Sequence, residues 1–203
     1  MPKPMTNRSR EELAFRRSCH TQFTTRDEGE DLIIEGYFVV FDKPYYMWDD
    51  MEEVVCRGAF DGCDTSDVRA LTDHDSRLVL GRCNQTIKTL TFYIDDYGLF
   101  GSIRVNRQDL DAMNLHARVL RGDVDQASFG FDEEEVAYID LADGRTRREI
   151  RKISKLWEIT VCTFPAYEQT FITARERDEA AVKAVRLERW KRNQKRRLRH
   201  HHD

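Results

Sequence analysis

Two stretches in the first half of the chain place β-branched and aromatic residues on both sides of a polar turn. HTQFTT (20–25) and DLIIEGYFVVF (31–41) flank the glycine-containing RDEGE, a combination that predicts a β-hairpin. TIKTLTFYI (86–94) and GLFGSIRV (98–105) repeat the pattern around DDYG. The sequence therefore predicts two hairpins before residue 106.

The pattern changes to a helical one after the second hairpin. Between Asn106 and Gly122, apolar residues recur at helical spacing, at Leu110, Met113, Ala117 and Leu120. Asn106 is a candidate N-cap and Gly122 a candidate C-terminal stop. Strand patterns return with ASFGF (127–131), a hairpin signal at DG (143–144) and LWEITVCTF (156–164).

Many short strands with few helices predict an α+β fold with an antiparallel, barrel-like β core. The first residues, 1–17, are polar and mixed in charge, which is typical of a mobile arm. Residues 174–203 lack Gly and Pro and are rich in helix formers, so we expect a basic helical tail there. The predicted domain covers residues 18–173.

Composition narrows the class of protein. The chain has 203 residues, 40% of them hydrophobic and 34% charged, enough for one domain with a substantial core. No apolar run approaches the ~18 residues of a membrane span, and the N-terminus lacks the apolar stretch of a signal peptide. The five cysteines include no CxxC pair, which favours reduced thiols over a disulfide framework.

Charge is distributed unevenly along the chain. Residues 175–203 contain 11 Lys and Arg against 5 Asp and Glu, whereas residues 1–174 contain 22 against 32. The body is therefore acidic, which disfavours nucleic acid as a partner. The basic tail suits an acidic protein surface better.

Three polar residues are candidates for chemistry. In an extended DQASFGF segment, Ala127, Phe129 and Phe131 would face the core, and Ser128 the opposite side, with Gly130 clearing space nearby. Ser128 is then placed as a nucleophile, although an ordinary strand serine would fit the same pattern. GxSxG is absent, because Gln126 occupies the place of the first glycine, which argues against an α/β-hydrolase.

His74 lies in LTDHDSRLVLG and Glu158 in KLWEITVCTF. If the first segment is extended, the aspartates on either side of His74 point to the opposite face, so its partner must come from elsewhere in the chain. Glu158 is a carboxylate in an apolar strand, where it could accept a hydrogen bond from a histidine and fix its tautomer. A surface histidine and an edge glutamate are the alternatives.

Two rival interpretations involve cysteine. Four residues carry zinc-ligand chemistry within 28 positions, namely Cys56, Cys63, His74 and Cys83, but their wide spacing is unlike that of zinc knuckles. Cys162 is a weaker candidate nucleophile, because nothing in the sequence marks its surroundings as electropositive. We therefore expect no metal and no cofactor.

Six segments together resemble the prohead maturation proteases of HK97-like tailed bacteriophages, serine peptidases related in fold to the herpesvirus assemblins. In chain order they are IEGYFVVFD, EVVCRGAFD, LTDHDSRLVLGR, DYGLFGSIRV, RGDVDQASFGF and LWEITVCTFPAYEQT. The resemblance covers roughly residues 20–173. It implies a herpesvirus-protease-like fold.

The resemblance also implies roles for the candidate residues. The histidine of the family's H-D motif falls on His74, its S-F-G-F serine on Ser128, and the acidic residue ahead of P-A-Y on Glu158. These would be general base, nucleophile and orienting carboxylate. A supporting arginine could come from Arg145, Arg147 or Arg148.

The implied function is a serine endopeptidase inside the procapsid, in the host bacterial cytoplasm. It would cleave scaffold or the scaffold-like arm of the major capsid protein, and also itself. Assemblin relatives suggest a homodimer. Two alternatives are a non-catalytic scaffold or capsid-assembly protein with the same fold, and a basic-tailed nucleic-acid-binding module.

Overall fold

The computed structural model describes residues 15–20, 23–28, 31–48 and 50–163. Within these residues the chain forms one α-helix, α1 (Leu110–Arg121), and eleven strands. The strands are β1 (Phe15–His20), β2 (Thr24–Glu28), β3 (Asp31–Val40), β4 (Tyr45–Trp48), β5 (Met51–Val55), β6 (Val68–Thr72), β7 (Asp75–Cys83), β8 (Leu90–Ile94), β9 (Gly98–Val105), β10 (Gln126–Asp140) and β11 (Thr146–Cys162). The predicted helical tail, 174–203, and residues 1–14 of the predicted arm lie outside the described residues. Residues 15–17 of that arm begin β1, which pairs with β10, so the arm prediction was wrong there.

The long hairpin of β10 and β11 organises the larger, seven-stranded sheet. β10 pairs with β11 along its length and with β1 on its other edge, in both cases antiparallel. β11 carries two parallel partners on its far edge, β5 at its start and β6 at its end. β4 and β7 complete the sheet beside β5 and β6.

The smaller sheet has four strands in the order β2-β3-β9-β8, all antiparallel. Both predicted hairpins form here, because β2 pairs with β3 and β8 with β9. The first strand of the first hairpin is shifted, since β2 includes residues 26–28 of the predicted turn and His20 belongs to β1. The predicted turn at Asp143-Gly144 is also confirmed, since it joins β10 to β11. The described strands form two open sheets, so the barrel-like closure is not confirmed, and β5 and β6 depart from the expected antiparallel pattern.

The two sheets and the helix share one hydrophobic core. The small sheet contributes residues such as Phe38, and the hairpin contributes Phe131 and Ile159. At Gly101 of β9, an added Cβ would stand 2.8 Å from both Ile159 Cδ1 and Phe38 Cε2. Glycine at this position therefore lets the inner face of β9 approach β11 closely.

The helix is confirmed, but its predicted N-cap was wrong, and of its four predicted apolar positions only Met113 packs against the core. Asp109, not Asn106, is the N-cap, and its carboxylate accepts the N–H groups of Asp111 and Ala112. Gly122 ends the helix in the left-handed conformation, as expected. The buried positions are Ala112, Leu115, His116 and Val119. Leu110 and Leu120 of the predicted apolar face are exposed.

Candidate active site

His74 lies in the tight turn between β6 and β7. Thr72 and Asp75 are paired across the turn, and the two residues between them, Asp73 and His74, have φ values of 48° and 58°. Positive φ at both central positions is the geometry of a type I′ turn, which usually contains Asn-Gly. The segment is therefore a turn at His74, not the extended strand considered from sequence.

Asp73 attaches this turn to the end of β11. Its backbone N–H donates to the carbonyl of Val161 at 3.1 Å, and its Oδ1 accepts the N–H of Thr163 at 3.1 Å. Left-handed backbone costs a non-glycine residue about 1–2 kcal/mol, so these contacts hold the turn in a conformation it would not favour alone.

The aspartate on the other side of His74 is occupied elsewhere. Both oxygens of Asp75 accept hydrogen bonds from the Arg77 guanidinium. This contact lowers the pKa of the Asp75 carboxyl to about 2. Asp73 bonds to Thr163, so neither flanking aspartate orients the imidazole. The sequence predicted this outcome from an extended segment, whereas the reason in the structure is that each aspartate has another partner.

The structure brings His74, Ser128 and Glu158 together. His74 Nδ1 lies 2.6 Å from Glu158 Oε1, and His74 Nε2 lies 2.8 Å from Ser128 Oγ. All three are buried, with relative exposures of 8%, 0% and 7% for His74, Ser128 and Glu158. When Nδ1–H donates to the carboxylate, Nε2 is left as an acceptor for the serine hydroxyl.

Strand register explains why the two side chains from β10 and β11 meet the histidine. Gly130 is paired with Glu158, and Ser128 with Thr160. The parallel partner β6 runs beside Glu158 and leads directly into the turn that carries His74. Ser128 and Glu158 thus project on one face of adjacent strands, and the turn brings the imidazole between them.

Gly130 leaves the space that the Glu158 carboxylate fills. A Cβ at Gly130 would stand 2.6 Å from Glu158 Oε1 and 3.1 Å from its Cγ. Any other residue would therefore push the carboxylate away from its present position. The sequence indicated that Gly130 clears space beside Ser128, and the structure identifies the group that uses it.

The second oxygen of Glu158 has its own partner, which the sequence analysis missed. Thr160 Oγ1 donates to Glu158 Oε2 at 2.7 Å, and Thr160 is fully buried. The available signal was the spacing of two, which puts both side chains on one face of a strand. Nothing in the sequence showed that the hydroxyl would point at the carboxylate.

The four zinc-ligand candidates are not grouped in the described structure. In the described part of the chain, no three His, Cys, Asp or Glu residues are grouped in a way that could hold a metal ion. Both ring nitrogens of His74 face Ser128 and Glu158 instead. Burial raises the pKa of the Cys63 thiol to about 11, and Cys162 is buried.

The candidate supporting arginines bind carboxylates other than Glu158. Arg145 and Arg147 bind Glu52 at 2.7 and 2.6 Å, and the buried Arg148 contacts Glu53. The backbone of Arg148 is paired with residue 138 of β10, and its guanidinium also contacts Glu133. These arginines join the β10–β11 hairpin to β5 and do not belong to the site.

Three comparisons relate this chain to known proteins. The chain is 27% identical over 177 residues to the prohead protease of Enterobacteria phage HK97, covering 85% of this chain and 73% of that protein. It also matches the solved structure of the bacteriophage T4 capsid assembly protease with a TM-score of 0.47 and 12% identity, covering 75% and 98% of the two chains. The model of the caudovirus prohead serine proteases matches residues 20–184, and the chain therefore belongs to this family of serine peptidases.

Proposed function

We propose that this chain is a capsid-maturation endopeptidase in which Ser128, His74 and Glu158 form the catalytic triad. The observation that carries the proposal is the 2.8 Å separation of Ser128 Oγ and His74 Nε2, which is hydrogen-bonding distance between a nucleophile and its base. Glu158 stands on the other side of the ring, at 2.6 Å from Nδ1. Family membership supports the reaction class.

In the first step Ser128 Oγ attacks the scissile carbonyl carbon while its proton passes to His74 Nε2. Collapse of the tetrahedral intermediate breaks the C–N bond, and His74 returns the proton to the leaving amine. Water then attacks the acyl-enzyme with the same base, which releases the acid and restores Ser128. Glu158 accepts the Nδ1–H throughout and stabilises the positive charge that the ring acquires.

The burial of Ser128 means that a substrate cannot reach its hydroxyl in this conformation. Ser128 has no exposed surface, whereas the attacking atom must come within about 3–3.5 Å of the carbonyl carbon. Some part of the protein that covers the hydroxyl must therefore move when a peptide binds. The same burial excludes water and strengthens the Glu158–His74 interaction before the substrate arrives.

The proposed substrates follow from the family rather than from the geometry. A prohead protease is expected inside the procapsid, acting on the scaffold or on the scaffold-like arm of the major capsid protein, and on its own chain. We propose that the catalytic domain, predicted as 18–173, also includes residues 15–17 of β1. Residues 1–14 and 174–203 are then appendages outside it. We also propose that the catalytic domain forms a homodimer.

The test is cleavage of the phage's major capsid protein by the purified chain, with the new termini identified by sequencing. Ser128→Ala should remain folded and lose cleavage by a factor on the order of 10⁴–10⁶. His74→Ala should be nearly as severe, whereas Glu158→Gln should keep a residual rate because its role is orientation and charge stabilisation. Cleavage at the wild-type rate by folded Ser128→Ala would refute the mechanism and leave a non-catalytic assembly protein as the alternative.

A further inference from the structure

The Glu158 carboxylate is held at both oxygens. Oε1 is 2.6 Å from His74 Nδ1, and Oε2 accepts the hydroxyl of Thr160 at 2.7 Å. An ionised carboxylate has only acceptor atoms, so the proton in the second contact belongs to Thr160. A hydrogen bond to an ionised group is shorter and stronger than one between neutral groups.

Thr160 itself is held rigidly. Its backbone is paired with Ser128 of β10 on one side and with Leu71 of β6 on the other. Its side chain is fully buried, and a β-branched residue has few available χ1 rotamers. The donor therefore stands at a defined place relative to both the serine strand and the strand that leads into the His74 turn.

We propose that Thr160 is a positioning residue for the reaction, a role that rests on the proposed function. The terminal torsion of a glutamate is broad and roughly two-fold, so its carboxylate plane rotates easily when only one oxygen is bound. The Thr160 hydroxyl stops this rotation and keeps Oε1 directed at Nδ1 of His74. Thr160 acts through Glu158 and does not touch the reacting atoms.

The first experiment compares Thr160→Val with Thr160→Ser in the full chain. Valine keeps the shape and removes the hydroxyl, whereas serine keeps the hydroxyl and removes the methyl group. The probe is a fluorophosphonate, whose phosphorus is attacked by Ser128 Oγ with loss of fluoride, so that the labelling rate requires no knowledge of the peptide substrate. Cleavage of the capsid protein gives kcat and KM separately.

Thr160→Val should be labelled about ten- to a hundredfold more slowly than the wild type, as expected for the loss of one charge-assisted hydrogen bond. The loss should appear in kcat, with KM changed less than about twofold. Thr160→Ser should stay within about threefold of the wild type. Thr146→Val is the matched control, because Thr146 is a buried threonine at the other end of β11, and its labelling rate should not change.

A double-mutant cycle separates positioning from packing. If the hydroxyl acts through the carboxylate, adding Thr160→Val to Glu158→Gln should cost less than about threefold, because the group that it orients is already gone. If Thr160 only fills space, the two losses should multiply. If Thr160→Val does not fold, Thr160→Ala replaces it, both in the comparison with Thr160→Ser and in the double-mutant cycle with Glu158→Gln.

Three results would overturn the role of Thr160: wild-type labelling of Thr160→Val, equal loss in Thr160→Ser, or multiplied losses in the cycle. Each of these is compatible with an active Ser128. Failure of the proposed function looks different, since the wild-type chain would then neither react with the probe nor cleave the capsid protein faster than Ser128→Ala. The two hypotheses can therefore fail separately.

Discussion

Replacing Gly130 by alanine tests the position of the Glu158 carboxylate directly. The added Cβ would stand 2.6 Å from Oε1, whereas an unstrained carbon–oxygen contact is about 3.3 Å. The oxygen must therefore retreat by roughly 0.7 Å. Oε1 is at hydrogen-bonding distance from His74, and Oε2 is at hydrogen-bonding distance from Thr160. Moving the carboxylate away from residue 130 therefore lengthens at least one of these two hydrogen bonds.

The expected cost to the reaction follows from that displacement. Misplacing a catalytic group by 1 Å reduces rates by a factor on the order of 10², so Gly130→Ala should be labelled by the fluorophosphonate about ten- to a hundredfold more slowly than the wild type. Stability should change little, because alanine restricts the unfolded chain more than glycine does and offsets part of the strain. The assay is the fluorophosphonate labelling rate, with Tm measured on the same samples.

Glu158→Gln provides the control background. Once the carboxylate is gone, adding Gly130→Ala should reduce the labelling rate by less than about threefold, because the carboxylate–imidazole interaction that the alanine would disturb is already lost. A wild-type labelling rate in Gly130→Ala would refute the placement of Glu158 beside this glycine. A large fall in Tm would instead indicate that the alanine disturbs packing of the β10–β11 pair.

Three further outcomes are expected. Asp73→Asn should keep the wild-type Tm, because asparagine tolerates the left-handed backbone and retains the Oδ1 acceptor. Asp73→Ala should lose about 1 kcal/mol of unfolding free energy and some activity. Equal Tm values in the two variants would contradict the anchoring role of the Asp73 side chain. EDTA should leave the cleavage rate unchanged, and stoichiometric zinc whose removal abolishes activity would revive the site at Cys56, Cys63, His74 and Cys83. A chain ending at Thr173 should fold and cleave in solution but be depleted from assembled procapsids. The reason is that residues 186–199 carry eight Lys and Arg against one acid, which suits docking on an acidic protein surface. Normal packaging of the shortened chain would argue against a docking role for the tail.

The helix shows where pattern analysis succeeded and where it failed. Its existence and its end at Gly122 were predictable, because a 3.6-residue period and a left-handed glycine cap are local properties. The buried face of the helix was not predictable. Leu110 and Leu120 suggested an apolar face but are exposed, whereas the face that is buried includes His116. Which face is buried depends on the sheet that packs against it.

Some strand pairings were predictable from the sequence and others were not. The hairpins of β2 with β3 and β8 with β9 join neighbouring segments through short turns, so the sequence contains the information needed to pair them. The parallel contacts of β11 with β5 and β6 join segments separated by about 90 positions. No local pattern specifies such pairings, because they depend on which surfaces remain available once the hairpin has formed.

By itself, the sequence determined which residues have suitable chemistry and which strands carry Ser128 and Glu158. Only the tertiary structure decided that they meet, since Ser128 and Glu158 lie 54 and 84 positions from His74 along the chain. Strand periodicity assigns a side chain to a face but leaves the register between strands open, and a shift of one residue would turn Glu158 to the other side. The left-handed turn at Asp73 and His74 is likewise unfavourable locally, and it is the contacts with Val161 and Thr163 that hold it.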